Sequence, residues 1–143
     1  MREFIAKMFI KSISRKTKVF VDTLHGTACN PYENAIRLNL EDTSPLYDGG
    51  FLHHLAVEHK CSFVNEISLP LWTILHELGH LATEDECEDE SEYLARELLN
   101  IDGTELANKA YFNLESEWRA TEWAIEYAKK HPFKCIIFGD LLR

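Results

Sequence analysis

The chain has 143 residues, 45% hydrophobic and 27% charged, with a formal net charge of −9 at pH 7. This is a globular composition with enough apolar mass for one buried core, and its acidic balance argues against general nucleic-acid binding. No apolar run approaches the roughly 18 residues needed to cross a membrane, and the start Met-Arg-Glu-Phe-Ile-Ala-Lys interrupts any signal-peptide core with charge, so one cytoplasmic domain over residues 1–143 is expected.

Charge is uneven along the chain: residues 1–20 carry six Lys/Arg against one acid, and the remainder nine against 23. Phe4, Ile5, Met8, Phe9 and Ile13 recur at helical spacing, which predicts a basic amphipathic helix within residues 1–17. Such a helix either packs on its own domain with a solvated basic face or touches a membrane, a partner or nucleic acid. The cluster Arg15-Lys16-Thr17-Lys18 is too short to reverse the overall acidity.

Residues 18–23 and 35–40 alternate or run apolar as strands do, with Gly26, Asn30 and Pro31 between them. A small antiparallel sheet is predicted, with residues 60–65 as a candidate third strand and residues 43–50 as a loop. His53, His54 and His59 match no common ligand spacing on one helix or strand face.

Residues 76–80 read His-Glu-Leu-Gly-His. On a helix, residues four apart are about 400° round and roughly 6 Å along the axis, so His76 and His80 emerge on one face and can share a metal ion. Glu77 sits about 100° from His76, close enough to act on a bound water without being forced to ligate. Leu71, Ile74, Leu75, Leu78, Leu81 and Ala82 supply an apolar face, so the motif is placed on a buried helix. Ser68 is a candidate N-cap, and Pro70 is tolerated in the first turn. Gly79 costs about 1 kcal/mol relative to Ala in a helix interior, which implies close approach of another backbone or of substrate.

Two neutral imidazoles and one carboxylate hold zinc with a fourth position open, where water reaches a pKa near about 7. Glu77 then serves as general base. The third ligand must come from elsewhere, because Leu-Ala-Thr-Glu follows His80 and contains no histidine. Glu84 on the same helix would stretch three ligands over about 12 Å, too far for bonds of about 2.1 Å to one ion.

Seven acids occupy residues 84–92, and negative charge at a helix C-terminus opposes the macrodipole, so this run is expected to leave the helix as an acidic loop. It is solvated, selects basic substrates or binds the basic N-terminus. Residues 91–100 read as a further helix stopped at Asp102-Gly103. Cys29, Cys61, Cys87 and Cys135 show no CxxC spacing, so reduced thiols are expected rather than a zinc ribbon or redox pair.

Residues 113–128 form a strong helical pattern ended by Lys129-Lys130-His131-Pro132. Glu117, Ala120 and Ala124 share one face, and two alanines beneath a carboxylate let this helix approach the Gly79 side of the zinc helix. Glu117 is therefore the expected third ligand, with Glu115 and Glu122 on a solvated face.

The pairing of His76-Glu-Leu-Gly-His80 with Glu117-x-x-Ala120-x-x-Trp123-Ala124 resembles the ImmA/IrrE family of small gluzincin-type metallopeptidases. The family's second motif runs Glu-x-x-Ala-Asn/Asp-x-Phe-Ala; here Trp123 stands for the Phe, and Thr121 replaces the Asn or Asp that tends to orient a zinc-binding histidine. The resemblance covers roughly residues 19–130 and implies an α+β, zincin-like domain, with the zinc helix against the Glu-bearing helix and one Zn²⁺ held by His76, His80 and Glu117. It further implies a cytoplasmic peptidase directed at a protein or peptide substrate such as a repressor-like, DNA-binding regulator. The alternatives are a catalytically silent protein of the same fold that sequesters a transcription factor, and a deformylase-like hydrolase of small molecules. Either one of His53, His54 and His59 or a tyrosine such as Tyr47, Tyr93 or Tyr111 is expected to stabilise the oxyanion.

Overall fold

A computed structural model describes residues 1–41, 51–83 and 114–143. The loop 43–50, the acidic run 84–92 with Glu84 and Cys87, the helix 91–100, and Tyr47, Tyr93 and Tyr111 lie outside these described residues. The architecture is α+β, as expected. In chain order the described elements are α1 (Arg2–Ile13), β1 (Lys18–Val21), β2 (Ala28–Asn30), β3 (Ala35–Leu38), α2 (Phe51–Glu58), a 3-10 turn (Val64–Glu66), α3 (Leu69–Thr83), α4 (Glu115–Lys130) and α5 (Pro132–Leu141).

The sheet departs from the antiparallel expectation. Its order is β1-β3-β2, with β2 antiparallel to β3 but β1 parallel to it, Lys18 opposite Ala35 and Val21 opposite Leu38. The 13 residues between β1 and β3 are long enough for a crossover, and they contain β2, in a segment that reads as a separator. The β2–β3 turn is closed by Asn30, whose side-chain carbonyl accepts the N–H groups of Tyr32 and Glu33, and by Asn34 in the left-handed region at φ 50°.

Residues 60–65 are not a strand either. Lys60 turns the chain at φ 57°, Val64–Glu66 winds into a 3-10 turn, and the Val64 carbonyl accepts the indole N–H of Trp72 at 2.9 Å. The apolar residues there serve helix packing: Val64 is buried, and Phe63 packs against the core.

Helix α3 runs through that core, with Leu71, Trp72, Ile74, Leu75 and Leu78 buried. Pro70 falls in its first turn, where an N–H has no intrahelical partner. The Ser68 carbonyl accepts the first helical N–H groups, from Leu71 and Trp72. The Ser68 hydroxyl donates across to the Gly139 carbonyl at 2.6 Å, tying α3 to α5.

Helix α4 buries Glu117, Ala120, Thr121, Ala124, Ile125 and Ala128 and lies along α3. The His131–Pro132 stop is also a start, since Pro132 opens α5, where a missing N–H is harmless. Helix α1 packs on its own domain: Ala6, Phe9 and Ile10 are fully buried, and the Phe9 ring lies 5.2 Å from that of Phe138. Phe4 and Met8, expected in the same apolar stripe, are exposed. No helix among the described residues is long and apolar enough to cross a membrane.

Candidate metal centre

The centre forms where α3 and α4 touch. The two backbones come close at Gly79, where an added Cβ would stand 2.3 Å from the Ala120 carbonyl oxygen and 2.9 Å from the Ala120 Cα. Only glycine permits this separation. One turn before Ala120 on α4, Glu117 projects between the two histidines of α3.

His76 Nε2 and Glu117 Oε2 are 2.7 Å apart, His80 Nε2 and Glu117 Oε2 3.1 Å, and the two Nε2 atoms 3.0 Å. The imidazole planes meet nearly at right angles, with centroids 4.6 Å apart, so both ring edges point at one spot. Three lone-pair donors facing one another at such distances repel unless a cation or proton lies among them. Four-coordinate zinc with bonds of about 2.05 Å would space its ligand atoms about 3.3 Å apart, so a small opening of the triangle fits the ion. His76, His80 and Glu117 can therefore hold a metal ion, and a set of two imidazoles and one carboxylate leaves a coordination position free.

The surroundings fix these groups. His76 and Glu117 are almost wholly buried, at 3% and 1% exposure, whereas His80 is partly open. His76 Nδ1 lies 2.9 Å from Thr121 Oγ1; with Nε2 turned to the metal position, Nδ1–H donates to the threonine, which sets tautomer and ring angle. Burial alone would raise the Glu117 carboxyl, but hydrogen bonds from His76 and His80, and their charge when protonated, outweigh it and hold Glu117 well below the usual carboxylate range. It is an anion ready to ligate.

Glu77 is next to the centre without belonging to the triangle. Burial pushes its carboxyl above the usual carboxylate range, opposed by the nearby His76 and His80 and by a hydrogen bond with Cys29. Cys29 lies on β2, which packs against α3. In the sequence Cys29 is one of four isolated thiols, and it stands 48 positions before Glu77, so no local spacing links them. Thr121 shows in the sequence only as a departure from a motif, and the structure sets its hydroxyl against His76 Nδ1.

The other histidines do not join the centre. His59 Nδ1 is 3.0 Å from Glu126 and its Nε2 3.8 Å from Glu122, which fastens the end of α2 to the outer side of α4. His54 meets the Trp118 ring edge-on at 6.1 Å. Glu115 is exposed and pairs with Arg119 at 2.7 Å, and Glu122 is likewise exposed, as the helical wheel predicts. No protein-family model, curated protein or solved structure matches this chain.

Proposed function

We propose that the chain is a zinc-dependent metallopeptidase with His76, His80 and Glu117 as ligands and Glu77 as general base. The observation that carries this reading is the convergence of the three donor atoms within 3.1 Å of one another beside the Glu77 carboxyl. A bound zinc ion would polarise a peptide carbonyl and bring the pKa of water near neutrality. Glu77, its carboxyl raised by burial, accepts the proton of the attacking water and returns it to the amine of the leaving strand. Cys29 holds that carboxyl by hydrogen bond, and Thr121 keeps the His76 ring in register.

Among the described residues strand β2 pairs only with β3 and lies against α3, so its other edge suits an extended peptide added beside the metal. The resemblance to the ImmA/IrrE family extends the proposal to a protein substrate in the cytoplasm, such as a repressor-like regulator. Replacement of Glu77 by Gln tests the activity: zinc content should be retained while hydrolysis of protein substrate falls at least about a hundredfold. Unchanged hydrolysis in Glu77→Gln would remove Glu77 as the general base, whereas a biological effect that survives intact when hydrolysis is lost would assign the zinc-bearing fold to sequestration instead.

A further inference from the structure

The two terminal helices form a surface unlike the rest of the molecule. Residues 1–20 carry six Lys/Arg and one acid, residues 129–143 four and one, and residues 21–128 five and 22. A net charge of +8 therefore falls within 35 terminal residues, against −17 on the rest. Arg2, Glu3, Lys7 and Lys11 lie on α1, with Arg15, Lys16 and Lys18 directly after it; Lys134 and Asp140 lie on α5, Lys129 and Lys130 end α4, and Arg143 follows α5. Helices α1 and α5 run antiparallel and in contact: Arg2 donates to the Leu142 carbonyl at 2.8 Å, and Phe9 meets Phe138. Both also pack against α3, so the sides turned away from it make one outer face.

That face is apolar along both helices and basic on the α1 side, whereas α5 is charge-balanced, with Lys134 bound to the Tyr127 hydroxyl and Asp140 paired with Arg143. Phe133, Ile137 and Leu141 recur every four residues on α5, opposite the buried Cys135 and Gly139, and they are 78%, 58% and 51% exposed. On α1, Phe4 and Met8 repeat the spacing on the side away from Ala6 and Ile10. Lys7, Lys11, Arg15 and Lys16 are interleaved with them or follow directly, all exposed.

We infer that this α1–α5 face docks on an anionic membrane surface, with the apolar side chains entering the interfacial layer and the lysines meeting lipid headgroups. Exposed Phe, Ile and Leu gain little against a phosphate backbone, which disfavours nucleic acid. A second copy presenting the same face would meet it with like charge. Protein interfaces deplete lysine from their apolar centre, whereas helices lying in a membrane interface combine lysine with bulky apolar residues in this way. The inference does not depend on the peptidase reading.

Flotation of the purified full chain with vesicles of about 30% phosphatidylglycerol in phosphatidylcholine tests it. Binding is expected at about 0.1 M salt, weaker at about 0.5 M, and at least about tenfold weaker on pure phosphatidylcholine. Replacing two exposed lysines that make no bond among the described residues, K7Q/K16Q, should weaken binding about thirtyfold, since each basic residue near such a surface contributes about fivefold. F4S/I137S should weaken it at least about tenfold, and both variants should keep the parental melting temperature and metal content. Absence of vesicle binding, equal binding to neutral lipid, or binding unaffected by both variants would overturn the inference. So would self-association abolished by F4S/I137S, or salt-sensitive duplex binding in place of vesicle binding.

Discussion

Gly79 and Ala120 are in backbone contact, and this contact sets the distance at which Glu117 reaches the two histidines. A methyl group on Gly79 would stand 2.3 Å from the Ala120 carbonyl oxygen, and the obstructing atoms are main chain that no rotamer change can move. By helix propensity alone Gly79→Ala should stabilise α3 by about 1 kcal/mol. The contact reverses the sign: the helices must separate, and a net loss of about 2 kcal/mol or more is expected, together with at least tenfold weaker zinc binding. Urea unfolding and metal competition on this variant check both, and a more stable Gly79→Ala would remove the contact from the account.

Thr121 is the second support. Its hydroxyl is the partner of His76 Nδ1 in a buried site, so Thr121→Val should leave that nitrogen unsatisfied at nearly constant volume. Zinc affinity should fall about 10- to 100-fold, while Thr121→Ser retains most of it. Equal affinities in a chelator competition across all three proteins would mean that the threonine merely fills space.

Stability at high pH should depend on Cys135. This thiol is fully buried in the core, on a helix that packs against α1 and α3, and burial pushes its pKa up from 9.0 to about 12. The folded state holds the proton more tightly than the unfolded one, so the thiol's contribution is complete below about pH 9 and declines as pH rises towards about 12. Relative to Cys135→Ala, the wild type should lose about 2 kcal/mol between pH 8 and about pH 10.5. Urea titrations of both proteins at these two pH values measure the difference; a gap that does not change with pH would contradict the assignment.

What the sequence disclosed follows from range. His76, Glu77 and His80 were legible because helical periodicity alone places them, and Glu117 because Ala120 and Ala124 mark the face on which α4 can approach a glycine. Gly79 was legible as a cost that demanded a close neighbour. The direction of β1 was not, since an apolar alternation of four residues is the same for parallel and antiparallel partners. Nor was the pairing of Cys29 with Glu77, which exists only once β2 has been laid on α3. Pro132 shows a third kind of limit: it ends one helix and begins another, and only the packing of Cys135 and Gly139 tells that a helix follows.

Elemental analysis of the purified chain beside Glu117→Ala and Glu122→Ala tests most directly whether His76, His80 and Glu117 hold one metal ion. One zinc per chain is expected in the wild type and in Glu122→Ala, whose carboxylate is exposed beside His59, and little or none in Glu117→Ala. Zinc kept by Glu117→Ala but lost from Glu122→Ala would move the third ligand to the other face of α4 and contradict the centre described here.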